Sequence, residues 1–509
     1  MSGAVAQSAG SGMLAAAVAF ARREPGKVLG LVLGLHLVVW TALPILVCPN
    51  LQLDLVEDLA LGKEWQLGYW KHPPLPWWIA DLVYRLTGQI DAVYVLGPLA
   101  AVICLYAVWL LAREVAGAFT GLLAVLVLEA VHYYNFSAVK FAHDQVQLPF
   151  WAFTGLFFYR ALKRGRLLDW TLAGICLAGA FWSKYAAFAL AATLGLFLLL
   201  DPTARGAWRT PGPYVMAAAF LIVLAPNLWW LIEHDFLPFR YVDARAKAAV
   251  HAYQYVLFPL QWTASQLLFL LPAVALVALL YLGRRKLAPS PGDAAAFDRR
   301  IVTALALGPF LIITAIAAAL GRLPVAMWGY PLWSFAPLAA LLWLGPVNEA
   351  RRLPMFAGAL LAVLAAFPAA YGGIEMFEPL LRDRAKATQF PGQVAADIIT
   401  REWHDRFGTP LVYVGGGEFP ANNVAVYSAD RPHVIPRGDP QLAPWIDAAD
   451  LRRRGAVVVW EDGNDEAQLA RWRATFAGLD SQPTLVLARQ TRYPVRPARI
   501  LFAFVPPKP

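Results

Sequence analysis

Charged side chains are scarce in this sequence: Asp, Glu, Lys and Arg make up 15% of 509 residues, whereas hydrophobic residues make up 59%. This composition, with a mean hydropathy of +0.51, excludes an ordinary soluble protein and indicates a polytopic membrane protein. The net charge of +9 arises mainly before residue 376, because residues 376–509 carry 17 basic and 15 acidic side chains. No soluble region has the basic face that nucleic-acid binding requires, so we expect no nucleic-acid partner.

Cysteines are few, and phosphate-loop motifs are absent. Cys48, Cys104 and Cys176 lie in or beside apolar runs without metal-ligand spacing, which is typical of small buried side chains. The GGG at 415–417 follows a predicted strand but does not complete a G-x-G-x-x-G motif, so it predicts a tight turn. We expect no cofactor; a divalent metal is compatible with the sequence, but no ligand spacing supports one.

Apolar runs of membrane length recur along the first three quarters of the chain. We predict eleven spans, at about 29–48, 92–112, 117–136, 145–162, 168–183, 185–200, 213–232, 263–283, 301–320, 327–345 and 355–373. With residues 1–28 in the cytoplasm, every short basic cluster falls on the inner side, as the positive-inside rule requires. These clusters are Arg113, Arg160/Lys163/Arg164/Arg166, Arg205/Arg209, Arg284/Arg285/Lys286/Arg299/Arg300 and Arg351/Arg352.

The sequence changes character at about residue 376. PLVYVG, AVVVW, TLVLARQ and ARILFAFV are predicted strands, and they alternate with the predicted helices GQVAADIITREWHDRF and DEAQLARWRATFAG. This alternation predicts a small α/β domain. The predicted fold is therefore mostly α: a polytopic transmembrane helical bundle over residues 29–375, with an outer loop at 49–91, and a periplasmic α/β domain over 376–509.

The polar loop that follows the first span concentrates ionisable residues. Asp54, Glu57 and Asp58 are spaced i, i+3 and i+4, so on a helix they share one face. Crowded carboxylates near a membrane surface raise one another's pKa, which suits a general base that takes a proton from an acceptor hydroxyl or amine. The alternative is an interfacial amphipathic helix whose acidic face meets water.

The same loop continues with GYWKHPPLPWW, in which Lys71 and His72 stand among aromatic residues. Two cations at this depth could pair with a lipid phosphate, with Tyr69 beside them. Belt aromatics and a lysine that reaches the headgroups explain the composition but not the order HPPL. We therefore predict that Tyr69, Lys71 and His72 bind a donor phosphate.

Further candidates lie at the predicted outer ends of spans. His143 and Asp144 begin the fourth span; Asp144 is either a site carboxylate or a helix N-cap, and a lone His-Asp pair is weak evidence for a metal. Lys184 lies between two apolar runs, in FWSKYAAF. It is either a second cation for the donor phosphate or a turn lysine that reaches the interface.

Over roughly residues 29–345, the chain resembles the polyprenyl-phosphate-sugar-dependent membrane glycosyltransferases. These are relatives of the dolichyl-phosphate-mannose–protein mannosyltransferases and of the bacterial transferases that add aminoarabinose or galacturonic acid to lipid A. GYWKHPPLPWW and the Ser-Lys-Tyr segment carry most of this resemblance. It implies the GT-C fold, an outer-facing site near the first outer loop, and inverting sugar transfer from a polyprenyl phosphate.

The resemblance also implies roles for individual residues. Asp54 matches the catalytic aspartate, Asp144 the second acidic position, and Lys184 the lysine of the Ser-Lys-Tyr segment. Family members commonly have Asp-Glu at the first of these positions, whereas this chain has Asp54 followed by Leu55. Glu57 and Asp58 are the candidate replacements for the missing carboxylate.

The predicted function is sugar transfer from a polyprenyl-phosphate donor at the outer face of the bacterial inner membrane. The phosphate is already the leaving group, so no nucleotide site is needed. The sugar is open, and so is the acceptor: lipid A or core glycan, another glycolipid, or protein. A lipid or solute transporter is the main alternative, but it should carry ionisable residues in mid-span rather than at outer span ends. An envelope assembly protein is a third, and it would not need Asp54, Lys71 and His72.

Reporter fusions test the predicted topology. Fusions near residues 165, 207 and 290 should report a cytoplasmic location, and fusions near residues 245 and 450 an outer one, because basic loops stay inside. A cytoplasmic readout near residue 450 would contradict the predicted span count and separate the proposed site from its donor.

Overall fold

The computed structural model describes residues 2–281, 292–347, 352–381, 385–461, 466–476 and 478–508. The chain forms two compact units, Met1–Thr41 with Val95–Ala369, and Ala42–Tyr94 with Ala370–Pro509. The predicted outer loop thus belongs to the same unit as the C-terminal region, a grouping that composition did not indicate. Of the predicted inner basic residues, four lie outside the described residues: Arg284, Arg285, Lys286 and Arg351.

Helices dominate the fold. In chain order they are α1 (Ser2–Arg23), α2 (Pro25–Val47), α3 (Leu53–Gly62), α4 (Leu75–Thr87), α5 (Leu96–Ala116), α6 (Ala118–Leu128), α7 (His143–Arg164), α8 (Leu167–Ser183), α9 (Phe188–Leu200), α10 (Gly212–Glu233), α11 (Leu237–Arg245), α12 (Gln254–Tyr281), α13 (Asp293–Leu320), α14 (Ala336–Leu344), α15 (Arg352–Leu381), α16 (Gly392–Phe407), α17 (Glu418–Tyr427), α18 (Ala448–Arg454) and α19 (Glu466–Thr475). The strands are β1 (Lys247–Ala248), β2 (Arg322–Leu323), β3 (Tyr413–Gly416), β4 (His433–Ile435), β5 (Ala456–Glu461), β6 (Asp480–Ser481), β7 (Leu485–Leu487) and β8 (Ala498–Val505).

The protein is a multi-pass membrane protein, as predicted. Six helices in the described part of the chain are long and apolar enough to cross a membrane: Pro25–Val47, Ile90–Ala116, Gly212–Glu233, Gln254–Tyr281, Ala295–Leu320 and Arg352–Leu381. A seventh candidate is the pair Ala118–Leu128 and His132–Lys140, which is bent by 88°. The count of eleven stays a prediction, because the other predicted spans fall on helices that are shorter or more polar.

The first unit is built from closely packed helices. α7 packs against α5 and α8, and α8 packs against α10. Gly174 permits the close approach of α8 and α10, since a Cβ at this position would lie 2.3 Å from the carbonyl oxygen of Met216. Small residues serve this purpose at helix interfaces in membranes, where dispersion contacts replace the hydrophobic driving force. The three cysteines are free; Cys48 and Cys104 are buried and Cys176 is half-buried.

The C-terminal α/β prediction is confirmed. The sheet has the order β4-β3-β5-β8-β6, with β7 also paired to β8. β3 runs parallel to β4 and β5, whereas β8 runs antiparallel to β5, β6 and β7. The apolar strand β5 is buried along most of its length, as a central strand covered on both faces should be.

In the second unit, α3 packs against α4 and α17. Its residues from Leu55 to Gly62 are all buried. A Cβ at Gly62 would lie 2.2 Å from the carbonyl oxygen of Trp77, so the α3–α4 contact requires glycine there. The interfacial helix with a solvated acidic face, which the sequence left open, is therefore not formed: α3 is enclosed by protein.

Candidate active site

α3 brings the three predicted carboxylates together with Lys71, and we call Asp54, Glu57, Asp58 and Lys71 the α3 cluster. Glu57 Oε2 lies 2.6 Å from Lys71 Nζ, and both side chains are nearly buried. Asp54, in the first turn of α3, acts electrostatically on Glu57 and on Asp58. Glu57 and Asp58 are buried whereas Asp54 is half-buried, so Asp54 is the most accessible of the three to a substrate.

Burial governs the protonation of the two inner carboxylates. It raises the pKa of Glu57 to about 7, against the opposing charge of Lys71 and with a further raising effect of Glu418. It also raises the pKa of Asp58 well above its usual range, and the charges of Asp54 and Glu57 add to this effect. Within the described residues, Oδ2 of Asp58 has no hydrogen-bond partner. The carboxyl group of Asp58 is therefore harder to ionise than an exposed one, and Glu57 titrates close to neutral pH.

Trp70 links the α3 cluster to the C-terminal region. Lys71 Nζ lies 5.2 Å and Arg437 Cζ 4.6 Å from the centroid of the Trp70 ring. Arg437 donates a hydrogen bond of 2.8 Å from Nε to Oε1 of Glu418, at the start of α17. Cations over an indole face are attracted by the ring's quadrupole, so the Trp70 ring interacts with both cations.

Tyr69 and His72 adjoin the cluster but differ in exposure. Tyr69 is fully buried; its hydroxyl donates to the carbonyl oxygen of Leu61 at 3.0 Å and accepts from the backbone N–H of Gln66 at 3.2 Å. Its ring meets Trp77 edge to face, with centroids 4.2 Å apart. His72 is half-buried. The phosphate-binding roles of these two residues stay predictions.

The first unit contains a second pair of predicted site residues. Lys184 Nζ lies 2.6 Å from both carboxylate oxygens of Asp144. Gln147 Nε2 donates to the backbone carbonyl oxygen of Lys184 at 2.9 Å, which fixes the end of α8 against the first turns of α7. Lys184 Nζ also lies 5.7 Å from the centroid of the Trp328 ring. Asp144 is thus an ion-pair partner rather than a simple N-cap.

His143 precedes Asp144 and is buried. In the described part of the chain, no group of three or more His, Cys, Asp and Glu side chains is arranged to hold a metal ion.

Some ionisable residues in these settings were missed by the sequence analysis. Glu418 and Arg437 were missed. The available signal for Glu418 was the predicted strand followed by GGG at 415–417, because α17 begins directly after it. His36 and Glu129 were also missed: His36 Nδ1 lies 2.9 Å from Glu129 Oε2, and both side chains are 1% exposed. A histidine inside the first apolar run was the available signal, because buried ionisable residues in spans require partners.

Solved structures of similar architecture identify the fold class of the protein. Two crystal structures of ArnT from Cupriavidus metallidurans share this fold. The one bound to undecaprenyl phosphate has a TM-score of 0.62 at 14% identity, over 94% of this chain and 98% of that chain. The apo structure has a TM-score of 0.63 at 14% identity, over 96% and 100%. The chain therefore has the ArnT-like GT-C fold that the sequence predicted.

Sequence comparison finds relatives over part of the chain. Residues 71–230 match the family described as dolichyl-phosphate-mannose-protein mannosyltransferase. The lipid A galacturonosyltransferase RgtD of Rhizobium johnstonii (strain DSM 114642 / LMG 32736 / 3841) is 32% identical over 177 residues, or 33% of this chain. The match spans 36% of that protein, about a third of its length. The resemblance seen in GYWKHPPLPWW is confirmed, and these matches support the assignment to the glycosyltransferases.

The variant Glu57→Gln tests the raised pKa of Glu57. Because the folded pKa of about 7 exceeds the ordinary value of 4.5, the folded protein binds more protons than the unfolded chain between these pH values. The stability that Glu57 contributes is therefore present below about pH 4.5 and is lost as the pH rises to about 7. In detergent, the melting temperature of the wild type should fall relative to Glu57→Gln over this range and stay level above it.

The exposed carboxylate Asp405 on α16 provides the control. Asp405→Asn should follow the wild-type pH dependence. If Glu57→Gln follows it too, the carboxyl group of Glu57 does not titrate near neutrality.

Proposed function

We propose that the protein transfers a sugar from a polyprenyl-phosphate donor to an acceptor of the bacterial envelope, with inversion, at the outer face of the inner membrane. The α3 cluster is the observation that carries this proposal. It combines a half-buried carboxylate with a buried carboxylate–lysine pair in a stretch that resembles the catalytic loop of the family.

The reaction requires a base and a cation. Asp54 takes the proton from the acceptor hydroxyl or amine as that atom attacks the anomeric carbon, and the bond from this carbon to the phosphate oxygen breaks. Negative charge then develops on the departing phosphate, which cations in a poorly hydrated setting stabilise. Lys71 in the α3 cluster and Lys184 in the Asp144 pair are the proposed cations.

We propose that Glu57 replaces the glutamate that family members commonly have at the position of Leu55. Leu55 is fully buried, so a carboxylate at this position would face the protein interior. Glu57, one helical turn beyond Asp54, instead pairs with Lys71 and fixes its ammonium group. We infer that Glu57 positions Lys71; Asp58, whose pKa is raised by burial, is the other candidate for the missing carboxylate.

The relatives support a lipid acceptor. RgtD is named for transfer to lipid A, and ArnT was crystallised with undecaprenyl phosphate. We propose that the donor here is likewise an undecaprenyl-type phosphate and that the acceptor is lipid A or another envelope glycolipid. Residues 376–509 then lie in the periplasm and residues 1–28 in the cytoplasm.

The first experiment separates an enzyme from a transporter. Purified protein in detergent, without any membrane gradient, should release polyprenyl phosphate from a polyprenyl-phosphate sugar when envelope lipids are supplied. A transporter would move the lipid without breaking the glycosidic bond, so an intact donor would contradict the proposal.

Asp54→Asn tests the base. The substitution keeps the shape of the side chain and removes its ability to accept a proton, so transfer should fall by about 100- to 10,000-fold while donor binding survives. The measurement is the initial transfer rate at matched expression, with Asp91→Asn as the control for an exposed carboxylate of the same unit. Full activity of Asp54→Asn would exclude the proposed mechanism.

Lys71→Ala and Lys184→Ala test the two cations. Loss of a charge-assisted contact with the donor phosphate should reduce donor use by roughly 10- to 150-fold in each variant. Each lysine also neutralises a carboxylate, so each variant is compared with one that removes that charge too, Glu57→Gln or Asp144→Asn. Recovery of donor use in the double variant would mean that the lysine serves only the fold. Lys140→Ala, at an exposed position, is the control.

A further inference from the structure

The second unit contains a cavity that the sugar-transfer mechanism does not use. Its volume is about 350 Å³, and its lining includes Lys386, Phe419, Glu461, Arg489 and Arg496. A volume of this size falls in the range of small-ligand sites, about 300–1,000 Å³. Three of the four charged lining residues are cations, and two of them, Arg489 and Arg496, carry guanidinium groups of the kind that bind oxyanions.

Two of the three cations, Lys386 and Arg489, are held in position by ion pairs. Lys386 Nζ lies 2.9 Å from Glu375 and 3.0 Å from Glu378, two carboxylates that do not line the cavity. Arg489 donates to Oε1 of Glu461 at 3.0 Å. The Lys386 and Arg489 side chains are 19% and 18% exposed. Cations anchored in this way need little reordering when an anion binds, which favours affinity.

The location of the cavity restricts the source of the anion. Glu375 and Glu378 lie in the last turns of α15, a helix of membrane-spanning length. A cation bound to the end of such a helix lies at the level of lipid headgroups. An anionic group carried by a lipid reaches this level, because its acyl chains stay in the bilayer.

α17 connects the cavity with the α3 cluster. Phe419 lines the cavity, and the preceding residue, Glu418, raises the pKa of Glu57 through its charge. α17 also packs directly against α3. A headgroup bound in the cavity is therefore placed beside the helix that flanks the candidate base.

We propose that this cavity is the acceptor subsite and binds a small oxyanion, phosphate or carboxylate, of an acidic glycolipid. The inference rests on the proposed function and adds to it the place where the acceptor binds and the acidic group that is recognised there. Arg489 and Arg496 bind the oxyanion through their guanidinium groups, whose geometry matches paired phosphate or carboxylate oxygens. Phe419 provides an apolar wall for the adjoining sugar ring.

Binding of three lipid A probes to the full-length protein in detergent tests the proposal without turnover. One probe carries its phosphates, the second is dephosphorylated but carries carboxylate sugars, and the third is dephosphorylated and has no acidic sugar. At least one acidic probe should bind about tenfold or more tightly than the third, because charge-assisted contacts are lost with the acidic group. The stronger of the two acidic probes identifies the oxyanion.

The variant Arg489→Gln/Arg496→Gln should abolish this preference and raise the KM for the acceptor while leaving the KM for the donor unchanged. Arg492→Gln is the matched control, since Arg492 is exposed, close in sequence and not in the lining. If the double variant is unstable, Arg496→Gln alone should give a smaller loss in the same direction. Equal binding of all three probes would overturn the proposal. So would wild-type binding by both the double variant and Arg496→Gln, and the charged residues of the cavity would then form only structural ion pairs.

The two proposals fail separately. If the acidic probe binds in the cavity but no donor supports transfer, the proposed function is wrong and the binding site remains. If transfer proceeds with an unchanged acceptor KM in the double variant, the acceptor subsite is wrong and sugar transfer remains.

Discussion

Ionisable groups removed from water must be paired, and this requirement shapes the interior of a protein in which only 15% of residues are charged. An unpaired buried charge costs several kcal/mol, whereas a paired one is tolerated. The buried pairs Glu57–Lys71, Asp144–Lys184 and His36–Glu129 each join residues that are distant in sequence. Each pair therefore fixes one segment against another as well as holding charge inside.

Paired charges are also suited to phosphate chemistry. A lysine already held by a carboxylate keeps its ammonium group in place, and an entering phosphate needs only to share it. In the α3 cluster, burial raises the pKa of the carboxyl groups of Glu57 and Asp58 while leaving Asp54 the most accessible. Three carboxylates within two helical turns thereby acquire different properties from their surroundings, which is how a site separates a base from its neighbours.

The C-terminal region contributes to this site directly. Arg437 stacks on Trp70 beside Lys71, and Glu418 acts on Glu57. Arg437 has a backbone φ of 56°, which is uncommon outside glycine, and Trp472 donates to its carbonyl oxygen at 2.7 Å. The α/β region thus positions charged side chains around the loop, in addition to forming its own sheet.

The sequence by itself determined the class of the protein, the mostly helical membrane fold and the strands of the C-terminal region. These follow from hydrophobic run length and periodicity, which are local properties of the chain. It also singled out Glu57, Lys71, Asp144 and Lys184, since a charged residue beside an apolar run needs a reason to be there. Only the tertiary structure decided which of them pair, because ion pairing depends on distances between segments that no local pattern encodes.

The tertiary structure likewise decided that the acidic face of α3 is enclosed and that Glu418 and Arg437 belong beside it. Spacing i, i+3 and i+4 places Asp54, Glu57 and Asp58 on one face of a helix but cannot say what covers that face. One of the two helices that pack against α3 is α17, more than 350 residues later in the chain. Burial raises the pKa of Glu57 to about 7, and the helices that pack against α3 include the distant α17 as well as the neighbouring α4.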